Sequence, residues 1–162
     1  MPPSVTKVVV SDAGPLIALG RLDRLSILAD VFREVQVPRV VFAECLRRPE
    51  LPDAQRIQAA VTSGTLLLCE ANPIRVDGLG AGESAAIGRA LEIGAALLAD
   101  DLAARREAAG RGLVVIGTLG VPIRAKQLRL LPAVLPLINQ LSAGGHRLSA
   151  TAIADALHAA GE

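Results

Sequence analysis

The chain has 162 residues, of which 51% are hydrophobic and 20% are charged, and its formal net charge is +1 at pH 7. This composition excludes a disordered chain, because it supplies enough apolar surface for one domain with a sizeable core. The near-zero net charge excludes a general attraction to nucleic acid, and Phe32 and Phe42, the only aromatic residues, provide no platform on which bases could stack. Arginine makes up 15 of the 17 basic residues, so any recognition of an anion would be local.

The N-terminal segment and the two cysteines indicate the cellular compartment. The segment MPPSVTK lacks the apolar run of a signal peptide, and no apolar stretch reaches the roughly 18 residues of a membrane helix. Cys45 and Cys69 stand apart from each other and from any C-x-x-C pattern, which argues against a disulfide framework or a zinc site. Both are expected to be small buried hydrophobic residues. We therefore expect a soluble protein of the reducing cytoplasm, without a membrane span.

Short apolar runs with strand character alternate with helical segments along most of the chain. This alternation predicts a mainly parallel sheet that is covered by helices on both faces. In chain order, the pattern predicts a strand at 7–11, a helix at 15–29 with a break near Gly20, a strand at 34–37, helices at 38–48 and 54–63, a strand at 65–69, a helix at 83–93, a strand at 96–99, a helix at 102–109 and a strand at 113–116.

The remaining residues read as a helical tail. A GGH sequence at 144–146 breaks the tail, and Ser149 or Thr151 could cap its final helix. Its apolar residues, such as Leu148 and Leu157, are expected to pack on the same domain. We therefore predict one domain over 1–162, with a core at about 7–128 and a helical tail at about 129–162.

Acidic residues follow two of the predicted strands. Asp12 comes directly after KVVVS, and Asp100 and Asp101 come after AALLA. The carboxyl ends of parallel strands are where such sheets place their working site. The alternative for Asp12 is a turn before the next helix, and the alternative for the pair is one helix cap and one solvated carboxylate. Two adjacent acids repel each other, which favours a nearby cation.

Two further acidic residues lie on predicted helices. Glu44, in VVFAECLRR, could form a surface ion pair with Arg47 or Arg48 one turn later. Glu83, in GAGESAAIGRAL, shares a helical face with Ile87, and no basic residue stands three or four positions after it. Its alternative role is to complement the helix dipole in the first turn. Four carboxylates are spread through the chain, and we expect three of them to converge on one edge of the sheet. Such a set suits a hard divalent cation, which could activate water and neutralise a phosphodiester.

Other patterns carry weaker signals. The stretch GLGAGES lacks the lysine of a phosphate-binding loop and does not directly follow a strand, so a flexible loop leading into a helix is expected. His146 and His158 have no partner at the spacing of a metal site or a catalytic triad. We expect both histidines to be surface or hydrogen-bonded residues.

Several motifs taken together resemble the PIN-domain superfamily. They are SDAGPLIAL, VVFAE, GAGESAAIGRA, ALLADD and VIGTLGVPIRAK, which run from Val8 to Lys126. The resemblance is closest to a branch of small prokaryotic proteins of uncharacterised-domain type that begin with D-x-G-P-L-I, and the tail HRLSATAIADALHAAGE is similar to that branch. It implies a three-layer α/β/α fold with a mainly parallel central sheet.

The resemblance also implies a function. PIN domains of this kind are metal-dependent ribonucleases, and many are toxins of type II toxin–antitoxin pairs. The expected cofactor is Mg²⁺ or Mn²⁺, and the expected partners are an RNA substrate, a cognate antitoxin over the acidic site, and a second copy in a homodimer. Related expectations are a metal-dependent phosphatase or a DNA nuclease that uses the same carboxylates.

By position, the resemblance assigns catalytic roles to four acids. Asp12 and Asp101 would ligate the cation, with Asp100 as a near-equal candidate for the second place. Glu83 would hold a water on the cation or a second cation, and Glu44 would orient the attacking water. The expected metal ligands are therefore Asp12, Glu83, Asp100 and Asp101.

Basic and hydroxyl side chains near the same edge are candidates for binding substrate. Arg105, Arg106 and Arg124 could grip backbone phosphates, and their alternative is a solvated helix face. Thr118 could supply a hydroxyl, although we expect it to be a helix N-cap.

The chain departs from the family pattern at Ala13 and Ala99, where PIN proteins commonly carry hydroxyl residues. These departures motivate a second hypothesis, in which the protein is a catalytically weak PIN-like module that binds RNA or a protein.

Overall fold

The computed structural model describes residues 6–162. The expectation about a signal peptide falls mainly on residues 1–5, which lie outside this range. In chain order the elements are β1 (Thr6–Ser11), α1 (Ala13–Arg21), α2 (Ser26–Val31), β2 (Phe32–Pro38), α3 (Arg39–Cys45), α4 (Pro52–Thr62), β3 (Leu67–Cys69), α5 (Ala81–Ile93), β4 (Ala96–Leu98), α6 (Leu102–Gly110), β5 (Val115–Ile116), α7 (Gly120–Gln127), α8 (Leu135–Ala143) and α9 (Ala150–Ala159).

The strands form one sheet in the order β3-β2-β1-β4-β5, and every pairing in it is parallel. The central strand β1 pairs with β2 on one side and with β4 on the other. Successive residues of a strand point to opposite faces, and Val9 and Val10 are both fully buried. Both faces of the sheet are therefore covered, as the strand–helix alternation predicts. The fold is a three-layer α/β/α arrangement, and this prediction is confirmed.

Helices pack on the sheet through a core that is almost entirely aliphatic. Helix α5 contacts β1, β2 and β4, and α2 contacts β2 and α7. Helix α1 packs on α3 and α4. Phe32, at the start of β2, is fully buried, and apart from Cys45 the rest of the core is built from Leu, Ile, Val and Ala. This packing fixes the helix ends that surround the carboxyl edge of the sheet.

Several element boundaries differ from the predicted ones. Helix α4 begins at Pro52, two residues early, because proline is well tolerated in a first helical turn. Helix α5 begins at Ala81, and its start is stabilised because the side chain of Glu83 accepts a hydrogen bond from the N–H of Gly80. Strand β5 has only two residues, although 113–116 reads as strand. The helix break predicted near Gly20 is confirmed, since α1 ends at Arg21.

The helical tail packs on its own domain, as predicted. Val134, Ile138 and Ala156 form a small second cluster, against which Leu148 and other apolar residues pack. Ser149 is the cap of α9, because its hydroxyl accepts a hydrogen bond from the N–H of Ala152. Across residues 6–162, we find no helix with the length and apolar character needed to cross a membrane.

Candidate functional site

Four carboxylates reach the carboxyl edge of the sheet. Asp12 follows β1, and Asp101 follows β4 at the start of α6. Glu44 lies near the end of α3, and Glu83 lies in the first turn of α5. The charges of Glu83, Glu44 and Asp101 all act on Asp12 and help to raise its pKa. The fold thus brings together the four acids that the sequence places on different elements.

Asp12 is the buried centre of this acidic cluster, which consists of Asp12, Glu44, Glu83 and Asp101. Only 7% of the surface of this residue is exposed to solvent. The pKa of Asp12 is raised to about 6, mainly by burial and in smaller part by the neighbouring carboxylates, while a hydrogen bond from the N–H of Ala13 acts to lower it. Asp12 occupies the N-cap position of α1, yet its side chain makes no capping hydrogen bond there. A side-chain cap of α1 therefore does not account for its burial.

Glu44 reaches across to the N-terminus of α5. Its Oε1 accepts a hydrogen bond from the N–H of Gly82, with the two atoms 3.0 Å apart. A Cβ at position 82 would lie 2.5 Å from the same oxygen, so only glycine allows this approach. The surface ion pair considered for Glu44 does not involve Arg48, which pairs with Glu50 instead.

Glu83 and Asp101 are both held by backbone N–H groups of their own helices. The N–H of Gly80 donates to Glu83 Oε2 at 2.8 Å, and the N–H of Ala104 donates to Asp101 Oδ2 at 3.0 Å. The helix-terminus roles considered for these acids are therefore real. Each bond uses one carboxylate oxygen, so the contact orients the side chain without occupying the whole group.

Asp100 is held differently from its neighbour. Its Oδ1 accepts from the N–H of Thr118 at 2.7 Å, and its Oδ2 accepts from the Thr118 hydroxyl at 2.6 Å. His146 Nε2 lies 3.6 Å from Asp100 Oδ2. The histidine, which the sequence indicates only as a surface or hydrogen-bonded residue, thus approaches an acid next to the acidic cluster from a point 46 residues later in the chain.

The expected N-cap role of Thr118 is wrong. Helix α7 begins at Gly120, and Leu119 is its N-cap. Thr118 is fully buried, and its hydroxyl is bonded to Asp100. In this structure its hydroxyl positions Asp100 and is not open to substrate.

Replacing Thr118 with valine is expected to lower the free energy of unfolding by about 2 kcal/mol, because a hydrogen bond to a charged carboxylate is lost in a buried place. Urea denaturation followed by circular dichroism measures this change. The matched control is Thr62→Val, since the Thr62 hydroxyl bonds only to its own helix on the surface. We expect the control to change stability by no more than about 0.5 kcal/mol. Equal effects in the two variants would contradict the positioning role.

A cleft of about 800 Å³ adjoins Asp100. Arg105 and Arg124 line it, whereas Arg106 is exposed and does not. Arg105 also donates from Nη1 to the carbonyl of Ala99 at 2.9 Å, which ties the arginine to the end of β4. Two of the three arginines named as phosphate-binding candidates thus share one cleft.

The sequence does not identify the other wall of this cleft. His146 and Arg147 line it from the connection between α8 and α9. In the sequence, only the GGH break points to these two residues. It indicates where a helix ends, but it does not indicate that the residues after it line a cleft.

The acidic cluster offers carboxylate oxygens, the donors that Mg²⁺ and Mn²⁺ prefer. Cys45 lies near the cluster and does not offer a thiolate ligand. Burial, together with the negative charges of Asp12 and Glu44, raises the pKa of its thiol to about 12, so the thiol stays neutral. Within residues 6–162, no three acidic, histidine or cysteine side chains are gathered around a common point as a metal cage. Mutual repulsion between the carboxylates and their bonds to backbone N–H groups favour this spread arrangement. By donor chemistry the four carboxylates fit a hard divalent cation, and Asp12 is the buried one among them.

Comparison with known proteins agrees with this geometry. A family model for the PIN domain matches residues 8–162. Among solved structures, the fold is similar to a PilT N-terminus domain protein from the hyperthermophilic archaeon Sulfolobus solfataricus P2, with 19% identity, a TM-score of 0.50, and coverage of 75% of this chain and 93% of that one. A search of curated proteins gives no match. PIN domains are generally nucleases that use divalent metal ions. The resemblance read from the sequence is confirmed, and the chain belongs to the PIN-domain family.

Proposed function

We propose that this protein is a metal-dependent ribonuclease that hydrolyses RNA phosphodiester bonds, and that it is the toxin of a type II toxin–antitoxin pair in the cytoplasm. The observation that carries the proposal is the burial of Asp12 among Glu44, Glu83 and Asp101 at the sheet edge. Burying one carboxylate beside three others is unfavourable unless a cation compensates them. A structural role would be met better by an uncharged side chain.

The residues divide the work according to their positions. Asp12, Glu83 and Asp101 would hold Mg²⁺ or Mn²⁺, and the bound ion supplies a Lewis acid that neutralises charge on the phosphodiester. Glu44 is held by the N–H of Gly82 and would orient the attacking water and accept its proton. Asp100 is hydrogen-bonded to Thr118 at the border of the cleft, whereas the charge of Asp101 acts on Asp12. Asp101 is therefore the better candidate metal ligand of the two adjacent acids.

Cleavage of a panel of structured and single-stranded RNAs tests this proposal. Purified protein, freed of any partner, is assayed with Mn²⁺, with Mg²⁺ and with EDTA. We expect cutting that requires a metal ion and falls by at least about 100-fold in Asp12→Asn, because an electrostatic group at the reacting centre is lost. Single-stranded DNA and a phosphomonoester run in parallel. Preferential hydrolysis of either would replace the ribonuclease with a DNA nuclease or a phosphatase, and metal-independent cutting would contradict the metal site.

A second candidate function is a catalytically weak binding module. It is favoured by one observation, namely that Glu44, Glu83 and Asp101 each already accept a hydrogen bond from a backbone N–H group. Thermal unfolding with and without Mn²⁺ separates the two functions.

A working site should stabilise the folded state by about 2.7 kcal/mol when Mn²⁺ is present at 100 times its Kd, because the ion binds only the folded form. Asp12→Asn should lose most of this gain. An unchanged melting temperature in the wild type would favour the binding module. The comparison variant is Asp155→Asn, which removes an exposed carboxylate from α9 and should keep the full response.

The proposed partners follow from the same function. A cognate antitoxin would cover the acidic cluster and block access of RNA to it. A homodimer is the expected assembly. Size-exclusion chromatography with light scattering measures the assembly directly, and co-purification of an RNA-cleavage inhibitor would identify the antitoxin.

A further inference from the structure

The cleft beside Asp100 is bounded by α6, β5, α7 and the connection from α8 to α9. Helix α6 contributes Arg105, helix α7 contributes Ile123 and Arg124, and the connection from α8 to α9 contributes His146 and Arg147 among others. Asp100 lies at its border, one residue before Asp101 of the acidic cluster. Whatever occupies the cleft therefore lies next to the proposed cutting site.

The connection that forms the outer wall is fixed in place by several contacts. Gly145 has φ of +92°, a conformation that favours glycine, and the N–H of His146 donates to the carbonyl of Leu141. His146 approaches Asp100, and Leu148 packs into the second apolar cluster. The GGH break is therefore a built turn that presents Arg147 to the cleft.

The lining has the chemistry of a nucleotide strand. Arg105, Arg124 and Arg147 carry three positive charges, and Asp100, the acid that faces them, is bonded to Thr118. Guanidinium groups match phosphate oxygens in geometry as well as charge. Apolar side chains such as Ile123 share the cleft and suit a sugar or a base. A net charge of +1 for the whole chain makes this concentration of positive charge a local feature.

The dimensions favour a single strand. A cavity of about 800 Å³ is in the usual range for small-molecule and cofactor sites, and a double helix is too wide to enter one. Single-stranded RNA can separate its bases and place them individually in a protein pocket.

We propose that this cleft seats the single-stranded RNA segment next to the scissile phosphate, with Arg147 as a phosphate-binding residue supplied by the α8–α9 connection. The inference rests on the proposed ribonuclease function for the identity of the strand. It adds to that function the direction in which the substrate leaves the acidic cluster, toward β5 and α7. Arg147 acts in binding and not in the chemical step.

The test measures binding separately from cutting. A short single-stranded RNA with a fluorescent label is titrated with protein in the Asp12→Asn background, in EDTA, and its anisotropy gives Kd. Arg147→Ala should raise Kd by about tenfold, as expected for one lost charge-assisted contact. The slope of log K against log salt should fall by about 0.7, because one phosphate contact is lost from a single strand.

The matched control is Arg33→Ala, which removes the same charge from an exposed position near the start of β2, at the opposite end of the strands from Asp100. It should leave Kd within about twofold, in keeping with the weak effect of a distant exposed charge. Arg147 is also exposed, so neither variant is expected to unfold the protein. Arg147→Lys should recover part of the affinity, because it restores the charge without the planar fork.

Cleavage by otherwise wild-type protein with Mn²⁺ distinguishes the two proposals. A raised KM with unchanged kcat in Arg147→Ala supports the cleft. Normal cutting with unchanged Kd and KM in that variant overturns the cleft and leaves the ribonuclease intact. Failure of the wild type to cut, together with RNA binding that needs Arg147, overturns the ribonuclease and keeps the cleft as an RNA site. Failure both to cut and to bind overturns both, and equally tight, Arg147-dependent binding of duplex RNA overturns the single-strand assignment.

Discussion

The Asp12→Asn protein is expected to be more stable than the wild type at pH 8 in EDTA, although it is expected to be inactive. The pKa of Asp12 is raised from 3.8 to about 6 in the folded protein, mainly by burial. The folded state therefore binds a proton more readily than the unfolded state, and ionisation of Asp12 destabilises the fold. The penalty is absent well below pH 4, grows between pH 4 and pH 6, and is complete above pH 6.

The size of the effect follows from the shift. One pKa unit corresponds to about 1.4 kcal/mol, so the full penalty is about 3 kcal/mol at pH 8. Asparagine keeps the shape of the side chain without its charge and should recover much of that amount. Urea denaturation at pH 8 and at pH 4 measures it, and the advantage of the variant should nearly vanish at the lower pH.

Asp155→Asn is the control, since it removes an exposed carboxylate and should shift stability by no more than about 0.5 kcal/mol at either pH. Excess Mn²⁺ at pH 8 should reverse the order of stability of wild type and Asp12→Asn, because only the wild type has its full set of ligands. If Asp12→Asn is less stable than the wild type at pH 8 in EDTA, the carboxylate is a structural group and the proposed site is wrong.

The second large effect is expected at Gly88, in the middle of α5. A Cβ at this position would overlap the backbone carbonyl oxygen of Asn72 and press on Pro73. The loop cannot retreat easily, because the N–H of Ile74 donates to the carbonyl of Ser84 on the same helix at 3.1 Å. Gly88→Ala should therefore lower the free energy of unfolding by about 3 kcal/mol, since overpacking outweighs the gain in helix propensity.

Gly110→Ala is the matched control for this prediction. Gly110 also lies in a helix, but a Cβ there would meet nothing within 4 Å. We expect it to leave stability unchanged or to raise it by up to about 1 kcal/mol. Denaturant midpoints of the two variants and the wild type provide the comparison. A Gly88→Ala protein as stable as the Gly110→Ala protein would show that the loop at 72–73 yields without strain.

The sheet and the position of Asp12 could be predicted because they depend on local patterns. The run of valines before Asp12 indicates a buried strand, and the rule for parallel sheets places the residue after it at the working edge. Glu83 could be found because helical periodicity places it on the apolar face of α5. These inferences need only the spacing of residues within one element.

Contacts between distant elements could not be predicted in the same way. Glu44 has arginines one turn later, yet it bonds to the N–H of Gly82, 38 residues away. The sequence predicts that Thr118 is a helix cap, yet its hydroxyl donates a hydrogen bond to Asp100. The helix starts two residues after Thr118. A single sequence carries no signal for such pairs, because the first depends on how α3 packs against α5 and the second on how β5 lies beside β4.

The order of the strands has a consequence for folding. Strand β1 is synthesised first but needs β2 on one side and β4 on the other, and β4 follows it by more than 80 residues. Parallel pairings between such distant segments form slowly, because a long loop must close before the contacts are gained. The acidic cluster draws on residues from 12 to 101, so a chain that has emerged only as far as α4 holds two of its four acids. If the proposed function is correct, RNA-cutting activity should return in step with the sheet during refolding, and a chain that lacks α5 and β4 should have none.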